Sequence, residues 1–423
     1  MPTITRAKPK KIRRGVPAAS PTAVVHQPQP VFFDYQGRTR LVFGVNTVER
    51  AGELALELGS KRILLVTDPG IVAAGHADRV RRILAASGLT ITLYENAREN
   101  PTTRDVDECV AVARSAGVDT IVGLGGGSSM DTAKGCNFLL TNGGRMQDYW
   151  GVGKAARPML PLIAIPTTAG TGSECQSFAL IADEQTHQKM ACGDPKAAAR
   201  IAILDPALTV SQPARVAACT GIDAISHAVE TAVTRKRNGL SLMYSHEAFK
   251  LTVTNLPRVL NHPDDLEARG KMLLGAALAG TAIENSMLGA AHAAANPLTA
   301  HYGIVHGQAV GMMLPLVVRF NGRDAAARQA YAELASAPEI ACVSDGHGPA
   351  LEALIARLEW LLNLAKMPRS LADCGVKRSG IKTLAAEAAK QWTAGFNPRP
   401  VTEQDFVALY EAAFEPRGNG GLS

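Results

Sequence analysis

Apolar positions change their rhythm about halfway along the chain. Between residues 40 and 208, short apolar runs alternate with stretches that repeat apolar residues every three or four positions. That alternation marks buried strands separated by amphipathic helices. RLVFG (Arg40–Gly44), KRILLVTD (Lys61–Asp68) and TITLYE (Thr90–Glu95) predict strands, and residues 73–87 and 104–116 predict helices. DTIVGLGGGSSMDTAKGCNFLL (Asp119–Leu140) reads as a strand, a glycine loop and a helix. PLIAIPTTAGTGSE (Pro161–Glu174) is an apolar strand running into hydroxyls and glycines, and RIAILDPAL (Arg200–Leu208) reads as the last strand of this half. Strands alternating with helices imply a parallel sheet covered on both faces. From Arg215 onward the chain is rich in Ala and Leu at a period near 3.6, which predicts a helical domain. The turn-rich stretch Ser336–Pro349 is expected to be a surface loop between helices. The expected fold class is therefore an α/β Rossmann-like domain over residues 33–209 followed by an all-α domain over 210–423, with residues 1–32 as a tail.

Charge sharpens the picture of that tail. Residues 1–33 hold Arg6, Lys8, Lys10, Lys11, Arg13 and Arg14 and no acid, so the other 38 basic residues balance the 38 Asp and Glu of the body. A neutral body gives no reason to expect a nucleic acid as partner. Six prolines in the first 30 residues and the lack of an apolar core segment argue for a disordered extension rather than a secretory signal. No apolar run reaches the length of a membrane span. Seven scattered cysteines, never in a CxxC pair, fit small buried residues in a reducing cytoplasm.

Three stretches carry candidate chemistry. In Gly125-Gly126-Gly127-Ser128, bare backbone N–H groups could approach an anion at the start of the next helix. Ser128 is expected to cap that helix, with Asp131 completing a variant capping box. Thr167, Thr168, Gly170, Thr171 and Gly172 form a second loop suited to a pyrophosphate and a ribose. Two such loops at the carboxyl ends of neighbouring strands point to a dinucleotide. Asp68, also at a strand end, is a candidate acceptor for the adenosine ribose hydroxyls and would repel a 2′-phosphate, favouring NAD over NADP.

The third stretch is TGIDAISHAVETA together with GAAHAAANPLTAHYGIVHG. Asp223 and His227 are four apart on one helical face. On an unbroken helix His292 and His306 would stand roughly 21 Å apart along the axis. The reading is therefore that Pro297 and Gly303 fold the second half back, so that all four residues could close around one metal ion. The alternative is that these are core or capping histidines.

Taken together, GGGSSMDTAK, PTTAGTGSE, ILDPAL, TGIDAISHAVE, GAAHAAANPL–HG and NPRP (Asn397–Pro400) resemble the iron-containing (group III) alcohol dehydrogenases, in family order over nearly the whole chain beyond the tail. The resemblance implies a metal and a nicotinamide meeting between two domains, with Asp223, His227, His292 and His306 as ligands. It implies Gly126, Gly127, Ser128 and Asp131 in the first cofactor loop, Thr167, Thr168 and Thr171 in the second, Asp68 at the ribose, and Lys189 as a further cofactor contact. Fe²⁺ is the metal it favours, Zn²⁺ the alternative, in a homodimer or larger assembly. The implied reaction interconverts a primary alcohol or diol and its aldehyde by hydride transfer with NAD, the substrate oxygen held by the metal. A hydroxyacid–oxoacid transhydrogenase and a non-catalytic metal-binding activator are the rival readings. One departure stands out: where some relatives carry a proton-relaying histidine, this chain has Asn296, which cannot titrate. His301 is the nearest histidine in sequence that could replace it.

Overall fold

A computed structural model describes residues 35–414 except 187 and 369, together with the isolated Thr3. The expected tail over residues 1–32 otherwise lies outside the described residues. Nine strands are described: β1 (Arg40–Phe43), β2 (Arg62–Val66), β3 (Thr90–Tyr94), β4 (Thr120–Gly125), β5 (Gly151–Val152), β6 (Leu162–Pro166), β7 (Phe178–Ala182), β8 (Lys189–Gly193) and β9 (Ile201–Leu204). Six of them form a sheet in the order β1-β9-β6-β4-β2-β3, every neighbouring pair parallel.

The central strands β2, β4, β6 and β9 are buried on both sides because nearly every position in them is apolar, whereas the edge strands β1 and β3 are partly exposed. Leu64, Val66, Ile121 and Ala164 face one layer, packed on α4 (Thr103–Ala116) and α5 (Gly127–Asn142). Their alternates Ile63, Leu65, Val122, Ile163 and Ile165 face the other, packed on α1 (Ala51–Glu57) and α3 (His76–Ala86). The period-two alternation of side chains thus feeds two cores at once. Chain order reverses around β2, with β3 on one side of it and β4 on the other. Ligands of open α/β sheets bind outside the carboxyl ends of strands at such a reversal. Asp68 follows β2 there and the glycine loop follows β4.

The helix expected over 73–87 is α3, which starts three residues later than expected, at His76, because Gly75 takes φ +79°; the short α2 (Pro69–Ala73) precedes it. The anticipated cap on α5 is also absent. Gly126 occupies the N-cap without a side-chain bond, and Ser128 lies inside the first turn. Asp131 instead accepts from Ser173 Oγ at 3.3 Å, across to the second loop. A small second sheet, β5-β8-β7, was not anticipated. It contains a β7–β8 antiparallel pair that brings Lys189 opposite Ala182.

Helices follow β9: α6 (Ala214–Thr231), α7 (Gly239–Asn261), α8 (Leu266–Ser286), α9 (Ala290–Tyr302), α10 (His306–Asn321), α11 (Ala325–Ser336), α12 (His347–Leu364), α13 (Ile381–Lys390) and α14 (Glu403–Phe414). One continuous apolar cluster joins α6 through α14. Every residue of α6 from Gly221 to Thr231 is buried, so its polar residues Asp223, His227 and Glu230 must find partners inside the protein.

Candidate metal centre and cofactor cavity

Asp223, His227 and Glu230 follow the i, i+4, i+7 rule along one face of α6. Across from that face the chain makes a sharp reversal. Pro297 sits inside α9 and does not break it, contrary to the expectation from sequence; the break is at Gly303, which ends the helix with φ +63°. Three residues later His306 starts α10. The reversal lets one histidine from α9 and one from α10 approach the same carboxylate. His227 Nε2 and His292 Nε2 each lie 3.5 Å from Asp223 Oδ1, and His306 Nε2 lies 3.9 Å from it. The His227 and His292 rings stack with centroids 4.7 Å apart.

Ligand atoms of Asp223, His227 and His292 all fall within 4.8 Å of one another, the spacing of a set that could hold a metal ion. His306 completes the arc from the side, more exposed than the other three. Asp223 Oδ1 and His292 Nε2 are buried without a hydrogen-bond partner among the described residues. Buried polar atoms are rarely left so. Carboxylate oxygen and imidazole nitrogen are donors that Fe²⁺ and Zn²⁺ accept, so the residues fit a divalent metal of that class.

A residue outside the anticipated set orients this cluster. Glu230 Oε2 accepts from His292 Nδ1 at 2.6 Å and from Gly289 N at 3.1 Å, while Oε1 accepts from Ala291 N at 2.7 Å. One carboxylate therefore satisfies the amino end of α9 and fixes which imidazole nitrogen faces Asp223. Burial opposes charge on His292, but Glu230 and then Asp223 outweigh it and push its pKa up to about 9. Burial likewise opposes charge on Asp223; the imidazoles of His227, His292 and His306 prevail and hold it below the usual carboxylate range. His227 moves the other way, kept towards its neutral, ligating form chiefly by burial.

The cluster opens into a cavity of about 390 Å³. Gly126, Gly127, Ser128, Asp131, Thr168, Thr171 and Lys189 line it together with Asp223, His227, His292 and His306. The glycine loop and the metal-type cluster thus share one space. A Cβ on Gly127 would come within 2.7 Å of Thr171 Cγ2, so glycine is what lets the two loops close on each other. The N–H groups at the start of α5 have no capping side chain and are free for an anion.

Asp68 and Thr167 are not in the cavity wall. Asp68 Oδ1 accepts from Ile71 N at 3.1 Å and Oδ2 accepts from Ser129 Oγ at 3.2 Å, which ties the end of β2 to the start of α5. Thr167 is buried with Oγ1 unpartnered among the described residues. His301 is also outside the cavity, 2.8 Å from Glu387 and exposed, and so does not stand in for a histidine at 296. Lys134, not singled out from sequence, is fully buried and donates to Ser173 O, Ser173 Oγ and Phe178 O at 2.6, 2.9 and 3.0 Å. It clamps the second loop against the small sheet. Burial lifts Asp131 to about 6, against the pull of Lys134 and Lys189.

Family models match the chain in two parts. Residues 38–206 match that of iron-containing alcohol dehydrogenases, and residues 217–414 match the C-terminal model of the same family. Alcohol dehydrogenase 4 of Schizosaccharomyces pombe is 35% identical over 372 residues, covering 88% of this chain and 87% of that protein. The NAD-dependent methanol dehydrogenase of Bacillus methanolicus is 33% identical over 372 residues, 88% of this chain and 97% of that protein. A crystal structure of 1,3-propanediol oxidoreductase superposes with a TM-score of 0.87 at 32% identity, covering 90% of this chain and all of that one.

Proposed function

This chain belongs to the iron-containing alcohol dehydrogenase family, and on that premise we propose that it interconverts a primary alcohol or diol and its aldehyde, with NAD as hydride carrier and Fe²⁺ as metal. The observation that carries this reading is the shared cavity, whose wall contains both the glycine loop and the Asp223–His227–His292–His306 cluster. A hydride carrier and an oxygen-binding cation in one enclosed space are the two components that alcohol oxidation requires.

Each residue then has a part. The N–H groups of Gly127 and Ser128 at the start of α5 hold the pyrophosphate, and Thr168 and Thr171 add hydroxyls from the facing loop. Asp68 stands outside the cavity wall, beside the switch in strand order; with the lone pairs that its bonds to Ile71 and Ser129 leave, it takes the adenosine ribose beyond the cavity and disfavours a 2′-phosphate, a reading that favours NAD over NADP. Lys189 and Asp131 flank the cofactor from β8 and α5. Asp223, His227, His292 and His306 hold the metal, which when bound supplies Lewis-acid polarisation of the substrate oxygen. Glu230 keeps His292 in the tautomer that presents Nε2. Apolar wall residues such as Leu180, Ile283 and Leu288 limit water beside the reacting carbon. The name of one relative, an NAD-dependent methanol dehydrogenase, supports the cofactor assignment.

Protein refilled with Fe²⁺ and given a primary alcohol with NAD⁺ is expected to produce NADH, followed by absorbance. His292→Ala is expected to lose the metal and to cut turnover at least about 1000-fold, since removing a metal ligand removes the charge stabilisation the metal supplies. Nucleotide binding, measured by calorimetry, should survive in that variant because no cofactor-loop residue is touched. Normal turnover by a metal-free His292→Ala protein is the result that would sink the reading.

A further inference from the structure

One part of the cavity wall carries polar groups that neither the metal-type cluster nor the cofactor loops use. Asn296 follows His292 by four residues on α9, so both side chains leave the same face about 6 Å apart along the axis. Asn296 Nδ2 donates to Gln391 Oε1 at 3.0 Å. Gln391 follows α13, and both side chains are half-buried in the cavity wall. That bond uses one N–H of Asn296 and one lone pair of Gln391. Asn296 Oδ1 remains as an acceptor and Gln391 Nε2 as a donor, neither bonded to another described residue. Thr393, two residues on, lines the same cavity, its Oγ1 buried and unpartnered among the described residues.

A free acceptor beside a free donor is the complement of a hydroxyl group, which both donates and accepts. We propose that Asn296 and Gln391, with Thr393, form a subsite for a second, uncharged hydroxyl of the substrate, so that this chain favours diols over simple alcohols. The proposal rests on the function proposed above and names its substrate class. An alkyl tail in the same place would strip water from both amides and return no hydrogen bond. Spacing agrees as well. Three backbone bonds span about 3.5 Å, so the four bonds of an O–C–C–C–O run reach about 5 Å, close to one helical turn. Asn296 is thus a positioning and specificity residue, where a histidine at this place could have taken a proton.

The test compares 1,3-propanediol, 1,2-propanediol and 1-propanol on the full-length, Fe²⁺-loaded protein and on its Asn296→Leu and Gln391→Leu variants. For the unmodified protein, kcat/KM for 1,3-propanediol is expected to exceed that for 1-propanol by about 10-fold or more, the discrimination a hydrogen-bonding site gives when it is partly solvated. In each variant the ratio should fall to near one, chiefly through the KM of the diol. A second measurement does not depend on turnover: Trp392 lies in the cavity wall, so quenching of its fluorescence reports binding of diol and mono-alcohol directly. The diol Kd is expected to rise about 10-fold or more in both variants. Equal preference for diol and mono-alcohol in the unmodified protein, or a preference that both variants keep, overturns the proposal. Absence of turnover with every alcohol would instead count against the proposed function, and the fluorescence ratio would still decide the subsite. Should Asn296→Leu fail to fold, Gln391→Leu at the end of α13 reads the same subsite.

Discussion

Glu230 shows how much a single buried carboxylate can organise. It closes the amino end of α9 through Gly289 and Ala291 and holds His292 by Nδ1. Glu230→Gln should keep the fold but reverse the hydrogen-bond logic at His292, weakening metal affinity about 10- to 100-fold in a chelator competition. Its position seven residues after Asp223 was readable as the same helical face. Its partner, 62 positions further on, was not, because nothing local links them. Glu174 makes the opposite case. Burial lifts its carboxyl to about 7, and Oε1 has no partner among the described residues. A raised folded-state pKa means that the neutral form suits the native protein: the stability it contributes is whole below about 4.5 and is lost as pH rises through 7. Glu174→Gln should therefore leave the melting temperature unchanged near pH 4 and raise it at pH 8, where about 3 kcal/mol of charge-burial cost disappears. Equal melting temperatures at pH 8 would show the carboxylate to be solvated.

Helix termini decide where the candidate ligands point. Gly303 adopts φ +63° with open space where a Cβ would go, so Gly303→Ala carries only a backbone penalty, about 1 kcal/mol. Denaturant unfolding should show that loss, and because His306 starts the next helix, metal retention should fall with it. Pro297, the other expected break, is carried within α9. Proline is a break signal only on average, and tight packing on α10 and α13 leaves α9 no room to bend away. The glycine loop followed similar reasoning. Ser128 and Asp131 had the residue types of a capping box, but the N-cap is Gly126 and the helix begins two residues earlier than that box requires, at Gly127, which moves both into its first turns. Cap assignments depend on shifts of one or two residues, and sequence patterns do not resolve those.

The α/β and helical portions meet where the second cofactor loop crosses α8. Gly172, at φ +60°, lies against Gly280, and a Cβ on residue 280 would collide with the Gly172 carbonyl. Gly280→Ala is expected to cost about 2 kcal/mol by overpacking and to loosen nucleotide binding, because the loop it displaces carries Thr168 and Thr171. Unchanged stability and cofactor affinity would mean that this crossing is slack. No helix among the described residues is long and apolar enough to cross a membrane, in line with the absence of long apolar runs. The alternating half, the helical half, both loops and the family could be read from the linear chain, since each rests on periodicity or on short motifs whose meaning is local. Glu230, the Asn296–Gln391 pair, Lys134 at Ser173 and the exclusion of His301 from the cavity emerged only with the folded chain. Each of them is a contact between residues 39 or more positions apart or an orientation set by packing, and no local pattern encodes either.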